Sequence, residues 1–281
     1  MQDIARHERP SGADVGPRPE QPLLAERRDG ILVLTLNRPE ARNSLSEAML
    51  GALQSAVDEV SSDAGVRAVV IGAAGPVFSA GHDLKELTAR RTDPDGGRGY
   101  HEQIMQQCSR LMRAIVQCPK PFIAAVQGTA TAAGCQLVAT CDLAVASRAA
   151  KFCTPGVNIG LFCTTPMVAL TRNVSRKRAM EMLLLGEMIG AEEAADYGLV
   201  NRVVDPDKLM DEAMAMARAI AAKSSATVAV GKEAFYRQIE MPLAEAYGYA
   251  AGVMVENMLL CDAGEGIGAF LEKRQPQWKD R

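Results

Sequence analysis

Apolar side chains recur in two registers along the chain, and these divide it into a front and a back. Residues 31–37 (ILVLTLN) form a β-rich run that Arg38-Pro39 ends, because proline cannot donate to a ladder. Met49, Leu50, Leu53, Ala56, Val57 and Val60 then repeat at helical spacing and predict an amphipathic helix over 46–60. The runs 66–72 (VRAVVIG), 121–127 (PFIAAVQ) and 142–147 (DLAVAS) are apolar and too short for buried helices, so they predict strands covered on both faces. Such strands alternating with helices imply an α/β layer. The segment 93–99 (DPDGGRG) reads as a surface loop. From Pro166 onward the pattern is almost wholly helical, over 177–185, 191–197, 208–223, 227–239, 243–260 and 265–273, with one short break at 199–204.

Composition narrows the class. The 281 residues are 48% apolar and 23% charged, which suits a globular chain with a sizeable core. A net charge of −3, from 31 Lys plus Arg against 34 Asp plus Glu, provides no basic field for nucleic acid. No apolar run approaches the ~18 residues of a membrane span. Seven cysteines, an odd number and mostly in apolar surroundings, imply a reducing compartment. With three histidines and no C-x-x-C pair, a metal site is not expected. The prolines, glycines and mixed charges of residues 1–24 predict a disordered tail. Asp3, Glu8, Asp14 and Glu20 interrupt it, unlike a transit segment, so a cytoplasmic protein is expected.

Familiar motifs are absent. Gly264-x-Gly266-x-Gly268 is not a dinucleotide fingerprint, and there is no phosphate loop or nucleophile elbow. Two glycine-containing turns stand out, each between an apolar strand and a helix: residues 78–85 (FSAGHDLK) and 127–136 (QGTATAAGCQ). Small residues let backbone approach a ligand, and the first N–H groups of a helix have no intrahelical partner. Two such N–H groups converging would form an oxyanion hole. Two tight turns with a small-residue core helix are the alternative reading.

Five strings in order resemble the enoyl-CoA hydratase/isomerase (crotonase) family: Leu36-Asn37-Arg38-Pro39 with Asn43-Ser44-Leu45, residues 78–84, Ala125-Val126-Gln127-Gly128, Cys141-Asp142-Leu143-Ala144 and Gly198-Leu199-Val200. The resemblance runs from about residue 25 to the closing Phe270-Leu271-Glu272-Lys273-Arg274-x-Pro276. It implies an α/β crotonase-type fold of repeated ββα units over 25–205, and a helical region over 206–281 that forms a homotrimer or a dimer of trimers. The ligand it implies is an acyl-CoA thioester, with coenzyme A entering as part of the substrate and no separate cofactor.

By the same resemblance the backbone N–H groups of His82 and Ala133 hold the thioester oxygen as an enolate forms, and the His82 side chain is not recruited. Arg42 and the backbone of Ala80, His82, Asp83, Leu84 and Lys85 clasp coenzyme A, with Ala133 and Gly134 beside the acyl group and Lys273 near the phosphates. Family hydratases carry two glutamates, and these positions hold Gln136 and Gly156 here; a further acid position holds Thr164. An amide neither activates water nor protonates carbon, although Gln136 can position a water or a substrate. The resemblance thus implies a nominal enoyl-CoA hydratase of fatty-acid metabolism with weak hydration. Two alternatives are a malonyl-type acyl-CoA decarboxylase, whose expected tyrosine falls at Cys163, and a noncatalytic acyl-CoA-binding or assembly subunit.

Overall fold

The computed structural model describes residues 21–281, so the expected tail over 1–24 lies largely outside the described residues. Its last two positions, Leu23 and Leu24, already belong to a strand. The described residues form β1 (Leu23–Arg28), β2 (Ile31–Leu36), β3 (Ala68–Ala73), β4 (Val77–Ser79), β5 (Phe122–Val126), β6 (Thr129–Thr131), β7 (Leu143–Ser147), β8 (Lys151–Cys153), β9 (Ile189–Gly190) and β10 (Arg202–Val204). The helices are α1 (Glu47–Ser62), α2 (Leu84–Ala89), α3 (Arg98–Gln117), α4 (Ala133–Thr140), α5 (Pro166–Leu170), α6 (Arg176–Leu185), α7 (Ala191–Asp196), α8 (Leu209–Ala221), α9 (Ser225–Gln238), α10 (Leu243–Met258) and α11 (Cys261–Leu271).

The strands make two sheets, of order β1-β2-β3-β5-β7-β10 and β4-β6-β8-β9. In the first, β2 to β10 are parallel and only β1 is antiparallel, folded back through Asp29 and Gly30, both at positive φ (51° and 76°). An Asp-Gly pair with both residues at positive φ suits the right-handed twist of a two-residue hairpin. Three strands of the first sheet pass into a short strand of the second and then into helix: β3 to β4, β5 to β6, β7 to β8. This is the repeated ββα unit of the crotonase-type fold. The corner between β5 and β6 sits so close on the corner before β4 that a Cβ at Gly128 would lie 2.0 Å from the Pro76 carbonyl oxygen.

The continuous apolar character of the strands follows from two cores. Leu32, Leu34, Leu36, Val69 and Ile71 face the larger core with the buried faces of α1 and α3, whereas Ile31, Val33, Ala68 and Val70 face Leu209, Ala213, Met214 and Ala217 of α8. Helix α9 is pinned by one buried charge. Lys232 Nζ donates to the carbonyls of Ile115 (3.0 Å) and Lys120 (2.9 Å) and to Asp142 Oδ2 (2.7 Å), and Tyr236 OH donates to Asp142 Oδ1 (2.9 Å). Beyond it the helical region leaves much apolar surface uncovered: Leu243 is 76% exposed, Tyr247 72%, Leu259 75% and Phe270 82%.

Candidate active site

Strands β4, β6 and β8 run parallel, with Ser79 opposite Ala130 and Thr131 opposite Cys153. The segments leaving their carboxyl ends, 80–83, 132–134 and 154–156, are therefore neighbours, at the edge where α/β sheets bind ligands.

The first segment is strapped to the loop before α1. Asn43, buried and at φ 49°, donates through Nδ2 to the carbonyls of Ala74 and Val77 (2.8 Å each) and accepts from Arg38 N–H (2.8 Å). Ser79 Oγ donates to Asn43 O (2.9 Å), Ala80 N–H to Arg42 O (3.0 Å) and Leu45 N–H to Gly81 O (2.8 Å). Asp83 caps α2, accepting from Ser44 Oγ (2.9 Å) and from the N–H groups of Lys85 (3.0 Å) and Glu86 (3.4 Å). Burial favours its neutral form, yet these donors and Arg38 outweigh burial and hold its carboxyl below the usual value.

The second segment is strained. Ala132 has φ 49° and ψ −120°, a conformation that costs a side-chain-bearing residue about 1–3 kcal/mol. It is held there at both ends: its N–H donates to Cys153 O (3.0 Å), and its carbonyl accepts from Gln136 N–H (3.0 Å). The two turns abut. A Cβ built on Gly81 would lie 3.1 Å from Ala133 N and 3.0 Å from Ala132 Cβ, and one on Gly134 would lie 2.3 Å from Ser79 O. Among the described residues neither His82 N–H nor Ala133 N–H has a hydrogen-bond partner, so contiguous backbone carries two free donors, one of them at the start of α4. That arrangement suits an oxygen gaining negative charge.

His82, Gln136 and Thr154, on or just after these segments, present uncharged side chains. Both ring nitrogens of His82 are buried without partners, and burial pushes its imidazole below the ordinary value, against an opposing backbone contact with Leu45. Gln136 is 5% exposed with Oε1 unpartnered, and the hydroxyl of fully buried Thr154 is unpartnered too. Thr154 carries no motif, and the sequence did not single it out. Gly156 has ordinary negative φ, so backbone strain is not what limits substitution there; a Cβ would come within 2.9 Å of Cys163 Sγ and 3.0 Å of Leu161 O.

The remaining expected residues divide. Arg42, Leu84 and Lys85 are exposed around the first turn, whereas Lys273 sits past the end of α11, with no hydrogen bond or ion pair to that turn among the described residues. Among the described residues no group of three His, Cys, Asp or Glu is arranged to hold a metal, and no helix is long and apolar enough to cross a membrane.

The chain matches the enoyl-CoA hydratase/isomerase family over residues 26–281. It belongs to that family. It is 48% identical over 269 residues to rat enoyl-CoA hydratase domain-containing protein 3, mitochondrial, covering 95% of this chain and 88% of the relative. Among solved structures it is similar to an enoyl-CoA hydratase of Mycobacterium smegmatis (54% identity, TM-score 0.88, covering 92% of this chain and 99% of that one) and to human enoyl-CoA hydratase domain-containing protein 3 (50%, TM-score 0.87, 92% and 100%). The family and the crotonase-type fold are thereby established. The cytoplasmic placement is overturned, because the rat, human and mouse relatives are named as mitochondrial proteins. Unpaired cysteines distinguish reducing from oxidising surroundings and do not separate one reducing compartment from another.

Proposed function

We propose that this enoyl-CoA hydratase/isomerase-family protein binds acyl-CoA thioesters and stabilises their enolates through the N–H groups of His82 and Ala133. The observation that carries this reading is the pair of unpartnered donors on abutting turns, with neutral Gln136 and Gly156 where the family's two glutamates stand. Hydration needs a base for water and an acid for Cα, each worth about 10²–10⁴-fold. With an amide and a glycine in those places, hydration by this protein is weak. Loss of carbon dioxide from a malonyl-type thioester needs enolate stabilisation first and one proton afterwards, so it fits the site better.

Parallel assays of crotonyl-CoA hydration and methylmalonyl-CoA decarboxylation, with calorimetry of butyryl-CoA binding, test the reading. Saturable binding with decarboxylation exceeding hydration is expected. Binding without either turnover would make the protein a noncatalytic acyl-CoA carrier, and no binding at millimolar ligand would remove the donor pair from consideration. The apolar surface of α10 and α11 further supports a trimeric unit built from copies of this chain. Light scattering should give multiples of three, and a monomer would sink this assignment.

A further inference from the structure

Gly156 and Cys163 belong to one tight loop, closed by the hydrogen bond from Leu161 N–H to Gly156 O (2.9 Å), and Cys163 O accepts from Met167 N–H (2.9 Å) in the turn that opens α5. The direction a side chain at 156 would take is already filled, because Cys163 Sγ lies 2.9 Å from that Cβ position. Gly156 leaves the carboxyl end of β8 beside the two donor turns, so the sulfur takes the side-chain position of the third segment at that edge. It is not isolated. Cys135 and Cys153, both raised mainly by burial and Cys153 to about 11, are near enough that a Cys163 thiolate further disfavours theirs. Cys135 precedes Gln136 on α4, and Cys153 carries the carbonyl that fixes Ala132. Gln136 and Thr154 directly follow Cys135 and Cys153 in the chain, their Oε1 and hydroxyl are buried without partners among the described residues, and unsatisfied buried polar atoms are tolerated where a ligand completes them.

We propose that the Cys163 thiol faces Cα of the bound thioester and donates the proton that quenches the enolate. The proposal rests on the acyl-thioester reading above. In a malonyl-type thioester the bond from Cα to the carboxylate breaks and carbon dioxide leaves. The electron pair passes into the thioester, its negative charge on the oxygen held by the His82 and Ala133 N–H groups. As the pair returns to Cα, that carbon takes the thiol proton, and the thiolate regains one from water. Nothing is oxidised or reduced. Burial raises the Cys163 thiol above its ordinary value and keeps it protonated at neutral pH, while the adjacent Gly156 N–H favours the thiolate and eases proton departure. Gln136 and Thr154 are positioning residues for the acyl group.

Bromoacetyl-CoA at about pH 9, where even a raised thiol supplies thiolate, tests the placement on the unaltered protein: the thiolate attacks the acyl Cα, bromide leaves, and the thioether is located by peptide mass mapping. Labelling of Cys163 is expected, slowed about tenfold or more by butyryl-CoA, whereas exposed Cys261 reacts irrespective of it. Butyryl-CoA binding with label confined to Cys261 overturns the thiol's placement, and absent binding overturns the reading beneath it. Methylmalonyl-CoA turnover in D2O tests the role. The unaltered protein should give propionyl-CoA with deuterium in one configuration at Cα. Cys163→Ala should lower kcat about 10²-fold with KM little changed and give racemic label, and Cys163→Ser should recover part of both. Single-configuration label from Cys163→Ala, at the unaltered rate, overturns the proton-donor assignment.

Discussion

The two donor turns and the loop after β8 leave adjacent strands of one small sheet, yet they are built on opposite terms. In the turns the useful groups are backbone N–H, and everything nearby constrains backbone: Asn43 and Ser79 strap the first, Cys153 O holds Ala132 at φ 49° in the second, and Gly134 lies where a Cβ would meet Ser79 O at 2.3 Å. In the loop the groups the proposal uses are side chains, and the residues present are Gly156 and Cys163, whose sulfur lies 2.9 Å from the Cβ position of Gly156. On the proposed reading, polarising a thioester is a property of the fold, while the fate of the enolate depends on a few exchangeable side chains. Relatives sharing the turns need not share the reaction.

The strongest way to break this contrast is to damage the backbone half. Gly134→Val should be the most severe change, since a side chain there drives α4 off β4. A destabilisation of about 4 kcal/mol or more, beyond ~8 °C in melting temperature, is expected together with loss of butyryl-CoA binding. Normal melting and binding would mean that the two turns do not abut in solution.

The side-chain half should accept new chemistry if room is made. Gln136→Glu with Gly156→Glu restores both carboxylates on paper, but the second collides with Cys163 Sγ, so the double variant should fold poorly and gain little. Adding Cys163→Ala removes the closest contact and leaves the backbone at Leu161 O (3.0 Å) and Cys163 N (3.2 Å) to give by a few tenths of an ångström; in a triple variant that folds, crotonyl-CoA hydration should rise about 10²-fold or more over the unaltered protein. An unchanged rate in a folded, acyl-CoA-binding triple variant would show that these positions do not face the acyl group.

Smaller changes sharpen the comparison. Ala132→Gly relieves the positive φ, and the gain exceeds the entropic cost of glycine, so melting should rise by about 2–4 °C while acyl-CoA binding persists. A fall in melting temperature would place the strain elsewhere. The smallest expected effect concerns His82, whose imidazole titrates below its unfolded value of 6.5 because it is buried. A lowered histidine pKa means the unfolded chain binds the proton more readily, so stability declines as pH falls from about 6.5 toward the folded value. His82→Leu keeps the N–H and should flatten the loss of melting temperature between pH 7 and 5.5; an unchanged slope would mean that the ring is not buried as described.

Much of the scaffold was legible because its signals are local. The runs at 31–37, 66–72, 121–127 and 142–147 became β2, β3, β5 and β7, since a strand covered on both faces must be apolar throughout. The hairpin of β1 has a local signal too, Asp29-Gly30, but Leu23–Arg28 is an edge strand with charges at 26–28 and shows no apolar run. Strands β4, β6 and β8, three residues each, had none: a three-residue strand shows no period, and its existence depends on partners some 50 and some 20 residues away.

The same division holds at the site. The sequence alone determined which groups are present: the order of the family strings, small residues at 81 and 132–134, an amide at 136 and a glycine at 156. Those facts are covalent and need no folding to be true. Only the tertiary structure decided that Gly81 lies against Ala133, that Ala132 is held at positive φ from β8, that Thr154 has no partner among the described residues, and that Cys163 fills the space in front of Gly156. These are contacts between segments distant along the chain, fixed by the register of parallel strands in the second sheet, and no local period records that register.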